Sequence, residues 1–344
     1  MMVIHAWKNL LLSYPGVLGE NIAGILTYGC QLGYIGPGQF LLSTNLNSAK
    51  LAPELITLQL HADLQLRRVR HVRPTFPFIS SPLGLVPKHD SGYRRIHHLS
   101  HPRGSSVNDY ISPECATLTY TSVADIFKLI LTAGRGATII KRDIKDAFRH
   151  IPVAPNWQWL LGFEWYSQYY QEARLPFGLA TAPLIFNLFA EALHWILQTF
   201  LGLRFLAHYL DDFMAIIPLS IATPLYIQQV KCKYIWLTDY LGVIRNDSKD
   251  MDGTCGTLLG IEFDTLKMEA RLPANKLAKA RHATALALQC DSHTLLQAQS
   301  LAGLLNFCAG VVRLGRIFLP NIWDFSRIFR PLLFIPTAAT LLQY

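Results

Sequence analysis

Residues 184–206 read LIFNLFAEALHWILQTFLGLRFL, an apolar run with few breaks. A run of that length belongs either in a bilayer or in the centre of a globular core. Glu191, His194 and Gln198 lie near its middle, where each polar group is expensive in lipid. We therefore expect a buried helix, with no membrane as partner. Directly after it, AHYLDDFMAII sets Asp211 and Asp212 between apolar flanks. Two readings compete locally: a polar turn joining the strands of a hairpin, or a pair of acids gathered to hold metal ions.

Composition narrows the partners. Of 344 residues, 51% are hydrophobic, enough for a sizeable core in two or three subdomains. Thirty-one Lys and Arg against 23 Asp and Glu leave a formal charge of +8, which favours a polyanion such as nucleic acid, or an anionic membrane surface. The six cysteines lie far apart and form no CxxC, so neither a zinc site nor a disulfide framework is indicated, and a reducing compartment fits. MMVIHAWKNLLLSYPG has one Lys, a short apolar run and no small-residue cleavage site, which argues against a secretory signal.

Along the chain, residues 1–75 read as a helical lead-in, closed by the basic run RRVRHVRP. LGLVPK and YRRIHHL read as two short strands joined at His-Asp-Ser-Gly. ATIIKRDIKDAF reads as a strand ending at Asp143 that turns into a helix near Ala147. After Pro273 the spacing turns helical, with basic residues interleaved. Strand-borne Asp143 and the hairpin pair Asp211 and Asp212 could meet at one sheet edge. Such a cluster is tolerated when divalent cations neutralise it, and all-oxygen ligands suit Mg²⁺. Two ions about 4 Å apart can serve an in-line phosphoryl transfer.

At this point the motifs resemble a known family. YLDDF resembles the Tyr-x-Asp-Asp box of reverse transcriptases, IIKRDIKDAFRHIPV their first catalytic-aspartate motif, and LPFGLATAPLIFN the Leu-Pro-x-Gly motif between them. LGVIRNDSK resembles their lysine-bearing motif, TLLGIEFDTLKMEARLP the primer-grip hairpin with the thumb entry, and SPLGLVPKHDSGYRRIHHLSHPRGSSVNDYI the fingers. All stand in the family's order. RRIHHLSHPRGSSVNDYI is most similar to DIRS-type retrotransposons, which use a tyrosine recombinase. Retroviral and gypsy-like enzymes carry an acidic DxR segment where this chain has His97, His98, Leu99 and Ser100.

The resemblance implies an α+β right-hand polymerase fold: lead-in 1–75, fingers 76–140, a palm 141–272 with an antiparallel sheet, and a partial helical thumb 273–344. It implies template-directed addition of deoxynucleoside triphosphates to a primer 3′-hydroxyl, on RNA and DNA template-primer, inside the cell in cytoplasm or nucleus. Asp143, Asp211 and Asp212 become the catalytic acids. With the backbone carbonyl of Ile144 they would hold two Mg²⁺ ions, or Mn²⁺ in substitution.

Nucleotide contacts are implied for Lys88, Arg94, Asp146, Ala147, Phe148, Phe177, Gly178 and Lys249. Arg95 is a neighbour of Arg94 if the turn shifts by one residue. Phe148 would lie beneath the sugar and exclude a 2′-hydroxyl, while Lys249 would protonate the leaving pyrophosphate. Glycine at 178 would allow the chain to come close to the nucleotide. Primer or template contacts are implied for Asn187, Tyr209, Leu258, Leu259, Gly260, Lys276 and Lys279, with Arg281, Arg313 and Arg316 as further phosphate contacts. No acid set for an RNase H domain follows Asp324. The rival expectations are a decayed or domesticated domain that only binds nucleic acid, and a metal-dependent nuclease that would cleave instead of extending.

Overall fold

The computed structural model describes residues 2–88, 92–290, 292–312 and 314–328. The chain forms two compact units: Met1–Tyr120, Arg142–Phe213 and Ile227–Lys249 make one, while Thr121–Lys141, Met214–Tyr226 and Asp250–Tyr344 make the other. The expected fingers and palm blocks, 76–140 and 141–272, each contribute to both units.

In the first unit the apolar run becomes the helix Ala182–Leu201. By length and composition alone it could cross a bilayer, yet half of its most apolar window is buried in the protein. Ile185, Phe186, Phe189, Ala190, Leu193, Ile196 and Leu197 recur at three- and four-residue steps and are all buried. Gly202, left-handed at φ 68°, ends the helix. Trp7, from the short helix Ile4–Leu10, packs edge-on against Phe189 at 5.8 Å and donates its indole N–H to the Leu241 carbonyl at 3.0 Å. Burying a side chain of this size contributes about 3 kcal/mol.

The lead-in of residues 1–75 is less helical than its spacing suggests. It holds the helices Leu18–Tyr28 and Pro53–Gln65, but also the strands Phe40–Leu42 and Val69–Val72. These two strands are the opposite edges of a five-stranded sheet whose inner strands are Phe78–Ser80, Gly162–Trp165 and Gln168–Glu172. Phe40–Leu42 runs parallel to Phe78–Ser80, and Val69–Val72 antiparallel to Gln168–Glu172. Partners so distant leave no local periodicity to read. Ile56, Leu60, Leu83, Leu85, Phe163 and Trp165 form one buried cluster in this unit. The hairpin of Leu83–Lys88 and Gly92–His97 falls where the sequence puts it, with Leu83 opposite His97 and Lys88 opposite Gly92.

A four-stranded sheet runs in the order Met251–Gly253, Thr138–Asp143, Asp212–Ile217, Leu206–Tyr209. The acid-bearing residues 142–143 and 212–213 fall in the first unit.

In the second unit, Ser122 and Asp125 form a reciprocal capping box that starts the helix Val123–Ala133. The strands Cys255–Leu258 and Ile261–Asp264 pair through a two-residue turn. Leu259 at φ 47° and Gly260 at φ 78° give the two positive φ values that a type I′ hairpin demands. Helices Ala274–Gln289, Leu295–Cys308 and Leu319–Ile328 follow, the first beginning directly after Pro273.

Gly178 shows how tightly the first unit is packed near the apolar helix. Its φ is +111°, and a Cβ there would overlap the backbone carbonyl oxygen of His97. The His97 N–H in turn donates to the Phe177 carbonyl at 3.1 Å. Gly178→Ala is expected to destabilise the protein by about 3 kcal/mol or more, because backbone cannot move aside as a flexible side chain can. Urea unfolding checks this, and a loss below about 1 kcal/mol would contradict the close approach.

Candidate active site

Asp143 ends its strand, and Asp212 begins the strand after the turn at Leu210 and Asp211. The backbone joins the two segments directly: the Ile144 N–H donates to the Asp211 carbonyl at 3.0 Å. Leu210 holds φ 51°, a left-handed conformation that is costly for a leucine and typical of turns with a task. Asp143 is buried. Burial, then the charges of Asp143 and Asp212, push the Asp211 carboxyl up to about 6. The charges of Asp143 and Asp212 thus both act on the Asp211 carboxyl.

Lys249 offsets part of that charge. Its Nζ lies 3.5 Å from Asp143 Oδ2, with about half of the side chain exposed. The chain brings it there by laying residues 244–249 beside residues 143–150. Asn246 N–H donates to the Asp143 carbonyl at 2.9 Å and Lys145 N–H to the Ile244 carbonyl at 2.9 Å. Ile244 N–H donates to His150 Nε2 at 3.0 Å. Burial lowers His150 to about 4, so its ring is neutral and Nε2 is free to accept. Arg245 braces the strip from outside through Thr238 and Asp239, both at 2.6 Å.

The helix expected near Ala147 is a single 3-10 turn, Ala147–His150. Pro152 explains the early stop, since a residue before proline is driven towards extended backbone, and Ile151 is extended at φ −88°, ψ 121°. Asp146 precedes the turn in a left-handed conformation, φ 54°, ψ 41°, and accepts from Arg68 at 3.0 Å. Ala147 is buried. Phe148 packs on Phe177 with ring centres 5.1 Å apart and on Phe186 at 5.9 Å. The exposed Arg94 lays its guanidinium 4.2 Å above the Phe177 ring. Arg94, Phe177 and Phe148 thus form one column from the hairpin to the turn after Asp143.

Several sequence expectations change here. Arg95 is buried, bonded to Asp63 at 2.7 Å and to Glu172 at 3.1 Å, and is not a free neighbour of Arg94. The close approach at Gly178 is to the His97 backbone. Asn108, absent from the expected site, clamps that loop by donating to the Gly178 carbonyl at 2.9 Å and accepting from Ala180 N–H at 3.0 Å. An Asn before Asp is a common turn residue, so it gave no signal of its own. Tyr209 stacks on Tyr120 at 4.9 Å, another partner the sequence did not disclose. Asn187 contacts His208 at 3.3 Å and Glu191 at 3.4 Å, in a cluster where His208 meets His194 at 3.0 Å. Lys88 lies on the strand Leu83–Lys88, but its side chain, like Arg313, lies outside the described residues.

In the second unit, Leu258 is buried, while Leu259 and Gly260 make the hairpin turn. Lys276 sets its ammonium 4.2 Å above the Phe307 ring and close to Gly260, and burial lowers its pKa. Lys279, Arg281 and Arg316 are exposed.

Among the described residues no three His, Cys, Asp or Glu side chains stand arranged to ligate one ion. The donor chemistry at the acid cluster nevertheless suits a hard divalent cation: the side-chain donors are all carboxylate oxygens, and burial together with the charges of Asp143 and Asp212 raises Asp211.

Residues 86–244 match the family model described as reverse transcriptase (RNA-dependent DNA polymerase). No curated protein matches the sequence. A solved foamy viral protease-reverse transcriptase with dsDNA, in the form designated dRH, superposes with a TM-score of 0.65 at 16% identity, covering 95% of this chain and 56% of that one. A second, also with dsDNA, gives 0.64 at 17%, covering 99% and 70%. A third, with an RNA/DNA hybrid, gives 0.62 at 18%, covering 99% and 45%. The chain thus spans little more than half of the first of these proteins. The likeness establishes the fold, the α+β right-hand polymerase fold.

Because folding raises the Asp211 pKa above its ordinary value of 3.8, the folded state holds that proton more tightly than the unfolded one. The cluster then costs stability above about pH 6, and the cost disappears as the pH falls towards 4. In divalent-free buffer, Asp211→Asn is expected to raise the melting temperature at pH 7.5, with the advantage shrinking between pH 6 and pH 4. Equal melting of both proteins at pH 7.5 would contradict a raised Asp211 pKa.

Proposed function

We propose that this chain is an RNA-directed DNA polymerase, adding deoxynucleotides to a primer 3′-hydroxyl on RNA and DNA templates. One observation carries the reading: the Ile144 to Asp211 hydrogen bond, which gathers Asp143, Asp211 and Asp212 into one set in which the first and last raise the carboxyl of the second. The family match over residues 86–244 and the fold shared with nucleic-acid-bound reverse transcriptases support it. The formal charge of +8 suits a polyanionic template-primer.

Asp143, Asp211 and Asp212, with the Ile144 carbonyl, are the groups that would hold two Mg²⁺ ions or Mn²⁺ in their place. When bound, such ions neutralise charge on the attacking and leaving oxygens. The protein's own groups do the rest. Phe148, backed by Phe177 and Phe186, offers a flat wall for the sugar and crowds a 2′-hydroxyl. Arg94, held over Phe177, offers its guanidinium to the triphosphate together with Lys88. Lys249, half exposed beside Asp143, is placed to pass a proton to the departing pyrophosphate. Asn187 and Tyr209 face the template-primer in this reading, and the Leu259–Gly260 turn with Lys276 and Lys279 holds the primer strand.

A retroelement origin of DIRS type fits the fingers segment RRIHHLSHPRGSSVNDYI, where His97 is buried and donates its Nε2–H to the Gly162 carbonyl at 2.9 Å. An intracellular location, cytoplasm or nucleus, goes with the partners.

Primer extension on poly(rA) with oligo(dT) and dTTP tests the reading, with and without Mg²⁺, beside Asp211→Asn/Asp212→Asn. Mg²⁺-dependent extension is expected, and its loss in the double variant. A folded wild-type protein that binds the duplex but extends nothing would leave a binding-only remnant as the better account, and cleavage without extension would point to a nuclease.

A further inference from the structure

Either side of Phe148 in the chain, Asp146 and Arg149 enter a lattice of charge that is largely buried and partly exposed at Asp146. Arg149 bonds Glu172 at 2.7 Å through Nη1 and approaches Asp63 at 3.1 Å through Nη2. Arg95 reaches the same two acids, at 2.7 Å and 3.1 Å. Arg68 links Asp63 at 3.6 Å to Asp146 at 3.0 Å. Three arginines thus meet three carboxylates in one closed net. Glu172 is almost fully buried at 1%, and Arg149 and Arg95 are buried too. Burial pushes the Asp63 carboxyl up, but the three arginines outweigh it and hold the group below the usual carboxylate range.

Ion pairs this deep give little net stability, since desolvation offsets most of their attraction. Their geometry is the informative part. The net draws on five separate segments: the helix Pro53–Gln65 (Asp63), the approach to the strand Val69–Val72 (Arg68), the hairpin strand Gly92–His97 (Arg95), the turn at residues 146–150, and the strand Gln168–Glu172. Within the turn it grips the chain on both sides of Phe148. Asp146 is held by Arg68 on one side, and Arg149 holds Asp63 and Glu172 on the other. Arg95 is chain neighbour to Arg94, whose guanidinium covers Phe177. One net therefore fixes both the segment that carries Phe148 and the strand that carries Arg94.

We propose that Arg149 is a positioning residue for sugar selection, clamping the Phe148 segment to the fingers hairpin through the acids it shares with Arg95. This rests on the polymerase reading of Phe148. A forked guanidinium fits the role, because it fixes direction as well as charge.

Arg149→Met is the informative change, since Asp63 and Glu172 each keep Arg95 as a partner. Single-nucleotide extension with dTTP and rUTP is expected to show a rise in KM for dTTP and a fall of about tenfold or more in the dTTP-to-rUTP kcat/KM ratio. Duplex affinity should stay within about twofold of the wild type. Hydrogen exchange should quicken at residues 146–150 and stay unchanged in the helix Ala182–Leu201. Unchanged sugar discrimination in a folded variant, or quickened exchange throughout the chain, would overturn the proposal. Should Arg149→Met not fold, Arg149→Lys, which keeps the charge without the fork, carries the same test. If the wild type extends no primer, the polymerase reading falls by itself, and unaltered exchange at residues 146–150 would still reject Arg149 as the clamp.

Discussion

Three carboxylates cannot be gathered in a protein unless something stronger than their repulsion holds the backbone beneath them. Here that is a short series of main-chain hydrogen bonds: Ile144 to Asp211, Asn246 to Asp143 and Lys145 to Ile244. They join the strand end, the hairpin turn and the lysine-bearing strip before any side chain is considered. Burial first, and then the charges of Asp143 and Asp212, raise the Asp211 carboxyl, while Lys249, paired with Asp143, offsets part of the effect. The rest of the first unit supports this arrangement, with the helix Ala182–Leu201 as its buried spine.

Much of this could be read from the chain because the signals were local. Asp143 at a strand end, the Asp pair at a hairpin turn, the hairpin at Leu83–Lys88 and the helix after Pro273 each show within a dozen residues. What escaped was non-local. The strands Phe40–Leu42 and Val69–Val72 are edge strands only because of partners far along the chain, and nothing in their own spacing says so. Arg94 and Arg95 are adjacent and chemically identical, yet strand alternation turns one outward over Phe177 and the other inward to Asp63. Asn108, Tyr120 and His208 likewise gain their contacts only when the fold closes.

Two kinds of packing meet at the turn after Asp143. Above it, aromatic faces and one guanidinium make a column that can yield slightly as rings slide past one another. Below it, bonds of 2.7 to 3.1 Å between arginines and acids tolerate little displacement. In the polymerase reading proposed above, a site that accepts four different bases while rejecting one hydroxyl would have use for both.

The five-stranded sheet has a practical corollary for anyone dissecting the molecule. The basic run ending at Pro74 marks a seam in the sequence, and a chain started at residue 76 respects it. Both outer strands of that sheet lie before the cut. Removing them would strip Phe78–Ser80 and Gln168–Glu172 of their outer neighbours and expose two rows of unpaired amides, a template for self-association. The lead-in is in that sense a built-in guard against aggregation.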